Sequence, residues 1–317
     1  MKNIFDIVID KVNEFKNPTC VGLDPDISKI PNHIKQKNLD IYGNTRKAVG
    51  KCFVEFNKGI IDATKDVVGV YKPQMAFYES YGVEGIQAFI DTVQYLKSLN
   101  KIVIEDAKRN DIGNTALSYA KSHLGEIELI NSTERIYDVD LITINGYLGS
   151  DGIKPFVEIS NKFNKGAFVL AKTSNKSSVD IQDTISIYKN KNIKHYLMMM
   201  EFIKKWGEGT EGSNGYICLG AVIGTTFPKD AKIIREKFPE CFFLVPGYGI
   251  QGGKAEDIIS CFNANGTGAI ISSSRQISFA YQDIKYNEKE YGLAAREVTI
   301  QMRDDIRSVL YGNKLWI

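Results

Sequence analysis

Short runs of β-branched and apolar residues recur along the chain, at 19–24 (TCVGLD), 67–73 (VVGVYKP), 101–108 (KIVIEDAK), 140–146 (DLITING), 166–173 (GAFVLAKT), 218–224 (CLGAVIG), 241–247 (CFFLVPG) and 268–274 (GAIISSS). They are near-continuous rather than alternating, the pattern of parallel strands covered on both faces. Between them apolar residues recur at helical spacing. Ile86, Phe89, Ile90, Val93 and Leu96 share one face of 83–99, and Ala231, Ile234 and Phe238 do the same in 229–238. At the start, Ile4, Phe5, Val8, Val12 and Phe15, with acidic residues between them, predict an amphipathic helix rather than a signal peptide. Eight strands alternating with helices predict a (β/α)8 TIM barrel with an N-terminal helix, ahead of an open doubly wound sheet. The expected organisation is a single domain over 1–317 with two inserted segments. One, near 28–50, is polar and rich in Lys and Asn. The other, near 174–217, carries a helix-like stretch at 195–206, whose methionines at 198–200 suit a helix core, and then a Gly/Glu loop at 207–215.

Composition narrows the class without choosing a function. The 317 residues carry 40 Lys+Arg against 38 Asp+Glu, a formal charge of +2, with 43% hydrophobic and 25% charged residues. That excludes a disordered, collagenous or disulfide-stapled chain. The near-neutral balance argues against a nucleic-acid partner, and no apolar run reaches the ~18 residues of a membrane span. The five cysteines have no CxxC spacing, and Cys20, Cys218 and Cys241 sit in or beside apolar runs, so they read as small buried hydrophobes in a reducing, cytoplasmic setting. His33, His123 and His195 lack metal-ligand spacing, and no metal is expected.

In a barrel the chemistry gathers where the strands end. Those positions hold Asp24, Lys72 followed by Pro73 and Gln74, Asp106 and Lys108 with Asp111 just beyond, Asn145, Lys172-Thr173-Ser174, Pro246 to Gln251, and Ser274-Arg275. The densest of these is DAKRND at 106–111. Strand alternation would put Asp106 and Lys108 on one side, together with Ile102 and Ile104, facing into the barrel. A carboxylate and an ammonium in a poorly solvated site keep each other ionised. An isolated DxKxxD is usually a charged turn with Asn110 or Asp111 capping the next helix. Lys72, a second cation at a neighbouring strand end, shifts the balance towards an alternating array of Lys72, Asp106, Lys108 and Asp111.

GYGIQGG at 247–253 matches GxGxxG but follows the seventh strand and lacks an acidic residue about 20 positions on, so it is a poor dinucleotide fingerprint. The loop at 207–212 also matches, but it precedes a strand. Barrels commonly bind phosphate at the loops after strands seven and eight, where glycines let backbone N–H groups approach. Gln251 and the forked donor Arg275 would complete such a grip.

GLDPD, YKPQMAFYESYG, DAKRNDIGNT, KTSN, VPGYGIQGG and SSSRQI, in this order over residues 20–276, resemble the long-form orotidine 5′-phosphate decarboxylases, the second bacterial type, akin to some protozoan enzymes. The resemblance implies a carboxy-lyase that converts orotidine 5′-monophosphate to UMP and CO2, the last step of de novo UMP synthesis, with no cofactor. It implies a homodimer whose sites are shared across the interface. Carried over, Lys108 is the proton donor to C6, Asp106 faces the departing carboxylate, and Lys72 and Asp111 complete the network. Asp24 and Lys72 would hold ribose hydroxyls, and Ser174 with Thr173 the pyrimidine edge. Gln251, Tyr248 and Arg275 would grip the phosphate, and Ile112 and Thr115 would enter the neighbouring site. Gln74, Pro246 and Ser274 are further substrate-contact candidates. Many long-form members have Gly where this chain has Asn110. Asn tolerates a left-handed backbone, so little consequence is expected. The chain is too short to hold a fused phosphoribosyltransferase as well. Two other classes remain: a Schiff-base phosphosugar aldolase using Lys72 or Lys108, and a non-catalytic phosphoribosyl-ligand sensor, against which the complete Lys/Asp array argues.

Overall fold

The structure is a computed structural model that describes residues 2–249, 255–282 and 286–315. All eight predicted strands form: β1 (Thr19–Leu23), β2 (Val70–Pro73), β3 (Ile102–Arg109), β4 (Leu141–Ile144), β5 (Gly166–Lys172), β6 (Leu219–Ile223), β7 (Phe243–Pro246) and β8 (Ala269–Ser273). They close into a barrel in chain order, with parallel pairing along β1-β2-β3 and along β4-β5-β6-β7-β8. The (β/α)8 expectation therefore holds. β1, β2, β4, β6 and β8 are buried along their whole length, which explains why their sequences run apolar without alternation. β2 starts at Val70 rather than 67 because the amides of Val67 and Val68 bond to Thr64 O, at 2.8 and 3.1 Å, and finish the preceding helix instead.

The helices at Ile4–Phe15, Gly82–Ser98, His195–Gly207 and Pro228–Lys237 lie where the spacing places them. The polar stretch 28–50 is largely helical, with Asn32–Tyr42 followed by the start of Arg46–Thr64. Thr45 caps the second helix by accepting from Ala48 N at 3.2 Å. The 174–217 segment holds an element the sequence did not reveal, an antiparallel ribbon of Ile185–Tyr188 and Lys191–Lys194. Its two-residue turn puts Lys189 and Asn190 at φ 50° and 60°. A tight hairpin needs positive φ at both positions, which Asn-Gly advertises and Lys-Asn does not.

The chain gathers into two compact units. One comprises Met1–Asp10, Lys108–Ser272 and Ile306–Ile317, and the other Lys11–Ala107 and Ser273–Asp305. In the first, Phe5 packs between Phe168 and Phe242, with ring centroids 5.4 and 4.7 Å away. In the second, Phe56 stacks on Phe279 and Tyr291 at 5.6 and 5.2 Å. All five cysteines are buried free thiols, as their apolar neighbourhoods suggest. Burial pushes Cys218 up to about 11 and Cys241 to about 12, so neither is a reactive thiolate. Among the described residues no helix is long and apolar enough to cross a membrane.

At the start of β3, Lys101 is 5% exposed. Its ammonium donates to Lys65 O and Val68 O and lies 3.9 Å from the centre of the Phe15 ring. Burial, and then Lys11, lower its pKa from 10.5 to about 8. Below that value the group is charged in both states, and the penalty is complete. Between there and its ordinary value the unfolded chain binds more protons than the folded one, so stability rises with pH. Urea unfolding at pH 7.5 and 9.5 should show a gain on the order of 1 kcal/mol in the parent that Lys101→Met lacks. An equal response in both proteins would show that Lys101 is not depressed.

Candidate active site

At the C-terminal end of β2, Lys72 is 5% exposed. Its Nζ donates to Asp106 Oδ2 at 3.0 Å. Burial alone would depress this ammonium, but the carboxylates of Asp106 and Asp24 more than offset it and hold its pKa above the ordinary value. Lys72 is therefore a fixed cation at neutral pH. Asp24, just past β1, has a buried Oδ1 with no hydrogen-bond partner among the described residues. Burial raises its carboxyl above the usual range, against the opposing pull of Lys72 and a hydrogen bond with Ser274. A buried acceptor with no donor is a place where a ligand hydroxyl fits. Ser274 reaches this carboxylate because residue 22 is glycine; a Cβ there would fall 1.9 Å from Ser274 Oγ.

Gln74 carries the β2 edge one residue further, pairing with Asp106 in an isolated parallel bridge. Its side chain caps the short helix Met75–Glu79 by accepting from Ala76 N at 3.4 Å. Arg275 is exposed after β8, and its charge is felt at Asp24. Its guanidinium has no ion pair among the described residues. Asp24, Lys72, Asp106, Ser274 and Arg275 thus form one electrostatic cluster.

β3 bears both Asp106 and Lys108, but the alternation expected to aim them together stops short of the lysine. Ile102 and Ile104 are buried as expected, whereas Lys108 has a left-handed φ of 52°. Its direction is therefore set by the turn and not by strand parity. The turn is held by Lys108 N, which donates to Thr143 Oγ1 at 3.0 Å, and by Asn145 N on Arg109 O at 3.1 Å. The positive-φ residues here are Lys108 and Gly113 (φ 54°), on either side of Asn110, so the left-handed tolerance of Asn is not called upon. Asp111 does not cap the next helix. Its Oδ1 accepts from Ile112 N at 2.7 Å, and the helix Gly113–Leu124 has Ile112 at its N-cap with no side-chain cap. Ile112 is 53% exposed, and Thr115 is exposed beside the buried Ala116.

At the end of β5, Thr173 is tied into a local network. Its amide donates to Gln182 Oε1 at 2.9 Å, Gln182 Nε2 donates to Thr173 Oγ1 at 2.8 Å, and that hydroxyl donates to Asn175 Oδ1 at 2.7 Å. Ser174 is half-buried, and its carbonyl accepts from Thr226 Oγ1 at 3.0 Å. Pro246 ends β7, its carbonyl accepting from Thr225 N at 3.2 Å. Tyr248 is 9% exposed, between Gly247 and Gly249 at φ 100° and 79°. Gln251 lies outside the described residues. The sequence reading missed Thr143, Gln182, Asp183 and Asp230. Thr143 lies inside β4, Gln182 and Asp183 are neighbours in the insertion and Asp230 is in the helix Pro228–Lys237, and no motif spacing links them to the residues they meet.

A (β/α)8 barrel whose ionisable groups gather at the C-terminal ends of its strands has the arrangement of the barrel enzymes. A sequence model of the orotidine 5′-phosphate decarboxylase / HUMPS family matches residues 18–286, and the chain belongs to that family. It is 38% identical over 306 residues to orotidine 5′-phosphate decarboxylase from Clostridium kluyveri, covering 96% of this chain and 98% of that one. To the Clostridium acetobutylicum enzyme of the same name it is 40% identical over 307 residues, covering 97% and 100%. The fold superposes on Leishmania donovani OMP decarboxylase with a TM-score of 0.70 at 27% identity, covering 96% of this chain and 99% of the other. It also superposes on Leishmania donovani UMP synthase, TM-score 0.72 and 28% identity, where 98% of this chain spans 57% of that longer protein.

A lysine held at positive φ costs about 1–2 kcal/mol, and such strain clusters at functional sites. Glycine relieves it. Lys108→Gly should therefore be more stable than Lys108→Ala by on the order of 1 kcal/mol in urea unfolding. Equal stabilities would show that residue 108 is not left-handed in solution.

Proposed function

We propose that this protein decarboxylates orotidine 5′-monophosphate to UMP and CO2 in the cytoplasm, with neither metal nor organic cofactor, as a homodimer with shared active sites. The observation that carries this reading is the buried Lys72–Asp106 pair at the ends of β2 and β3, in a chain whose curated relatives bear the name of that enzyme. In the reaction the C6–carboxylate bond breaks, and its electron pair stays on C6 in the ring plane, where no carbonyl is conjugated to it. Such charge is stabilised by groups already in place and by a nearby ammonium. Lys108 delivers its proton to C6. Asp106 faces the carboxylate that leaves, and Lys72 and Asp111 complete the alternating array.

Asp24, through its buried Oδ1, unpartnered among the described residues, accepts from a ribose hydroxyl, with Lys72 beside it. Ser174 meets the pyrimidine edge next to Thr173. Tyr248, Gln251 and Arg275 grip the phosphate, the exposed Arg275 as a forked donor to a dianion. Gln74, Pro246 and Ser274 are further substrate contacts in this reading. Phosphate binding remote from C6 contributes the energy that closes the site around the ring. The Schiff-base aldolase needs a neutral amine. A Lys72 held protonated by two carboxylates weighs against that residue as the amine, and borohydride trapping should yield no adduct at either Lys72 or Lys108.

Purified, EDTA-treated protein should consume orotidine 5′-monophosphate in an absorbance assay, and Lys108→Ala should abolish turnover while UMP still binds in calorimetry. Lys108→Ala activity within tenfold of the parent would remove Lys108 from the proton-donor role.

Asp111, Ile112 and Thr115 act in the partner's site. The support is that Asp111 does not cap its helix and that Ile112 and Thr115 stand exposed beside it. Lys108→Ala and Asp111→Ala, each inactive alone, should complement when mixed. Random pairing makes about half the dimers hybrid, and each hybrid has one intact site, so about a quarter of parental activity returns. No recovery after mass spectrometry shows exchanged subunits would place Asp111 in its own chain's site.

A further inference from the structure

We propose that the 174–217 insertion serves the substrate site through Gln182, a positioning residue that locks Thr173 so that Ser174 alone presents its hydroxyl to the pyrimidine. The proposal rests on the reading that this strand end meets the base. Two consecutive insertion residues grip two consecutive residues of the strand end: Asp183 takes Lys172, and Gln182 takes Thr173.

The first grip anchors the arm. Between β5 and β6 the register slips by one residue, with Val222 opposite Leu170 but Ile223 opposite Lys172. Such a bulge re-aims the side chain that follows it. Lys172 is fully buried, and its ammonium meets Asp183 Oδ2 at 2.5 Å and Asp230 Oδ2 at 3.8 Å. It also lies 4.2 Å from the Phe227 ring centre and 5.3 Å from that of Tyr196. Asp183 accepts from Lys194 at 3.0 Å through its other oxygen, and Tyr196 OH donates to Asp230 Oδ1 at 3.0 Å. Hydrogen bonding from Lys172 holds the Asp183 carboxyl below the usual range, against the effect of burial. The ribbon and the helix behind it are thereby tied to the end of β5.

The second grip sets the chemistry of the neighbouring residues. The Thr173 amide is committed to Gln182 Oε1. The Thr173 hydroxyl has one proton, and Asn175 Oδ1 takes it. The same oxygen receives Gln182 Nε2. Thr173 therefore has no proton left to donate to a base. Next to it, Ser174 is held by its carbonyl through Thr226, and the Lys172 carbonyl by Gly224 N at 2.7 Å. The Ser174 side chain makes no hydrogen bond among the described residues. Gln182 thus separates two adjacent hydroxyls into one structural and one free to bind.

The test is Gln182→Ala, which leaves the Lys172–Asp183 anchor intact. KM for orotidine 5′-monophosphate should rise about three- to tenfold, the loss of one or two hydrogen bonds, with kcat at saturation within twofold of the parent. Inhibition by inorganic phosphate, which does not reach this strand end, should be unchanged. Gln182→Glu keeps an acceptor for the Thr173 amide and should restore most of the affinity. In the absence of substrate, amide exchange over 173–175 should quicken in Gln182→Ala and not in Gln182→Glu. Unchanged exchange overturns the lock whatever the activity. Parallel shifts in KM and phosphate inhibition overturn the positioning role, because they would report a general loosening. If the parent does not turn over orotidine 5′-monophosphate yet exchange quickens as expected, the lock stands and the decarboxylase reading fails.

Discussion

A buried lysine cannot be left alone, and Lys72 is the group around which the ends of β1, β2 and β3 are organised. Taking an ammonium out of water costs several kcal/mol unless opposite charge meets it with good geometry. Asp106 does so at 3.0 Å, and Asp24 adds a second carboxylate. Each of those acids is itself half-buried and so depends on the lysine in turn. Removing any one member would strand the others. The same mutual dependence makes the cluster preorganised, because its charges are fixed before any ligand arrives. Stability and the proposed chemistry thus draw on one set of contacts.

A second buried lysine, Lys172, follows the same rule to a different end. Its carboxylates come from outside the barrel strands, Asp183 from the insertion and Asp230 from the helix Pro228–Lys237. Pairing it therefore fixes accessory structure to the end of β5. In both cases a desolvated cation acts as a positioning device. A surface pair could not do this, since exposed ion pairs are worth roughly 0–1 kcal/mol and move freely.

At the starts of β7 and β8 a buried cation is held by carbonyls, with no ion pair among the described residues. Arg235 is 5% exposed. It donates to the carbonyls of Phe238, Pro239, Cys241, Cys261 and Gly268 and lies 3.5 Å from the Phe243 ring centre. Burial lowers its pKa to about 10, so it remains a cation at neutral pH. Five donors in a fixed fork suit the cluster of carbonyls that gathers at the starts of β7 and β8. This arrangement uses charge for structure alone, whereas at the C-terminal ends Arg275 has no ion pair and Asp24 Oδ1 no donor among the described residues.

The barrel itself was legible in the sequence, because apolar runs buried on both faces can hardly be anything but parallel strands, and every one of the eight was found within a few residues. The strand ends were legible too, since a (β/α)8 barrel assigns them a location by topology alone. What alternation could not supply was the aim of Lys108. A single left-handed residue, stabilised by Thr143 from the next strand, overrides the period of two. Nor could the sequence tell that Thr173 is bound internally while Ser174 is open, or that a ribbon turns at Lys189-Asn190. Hydrophobic periodicity is a local property, carried by each segment on its own. The pairing of Lys72 with Asp106, of Lys172 with Asp183 and of Gln182 with Thr173 depends on which residues the fold brings within 3 Å, and only the tertiary structure decides that.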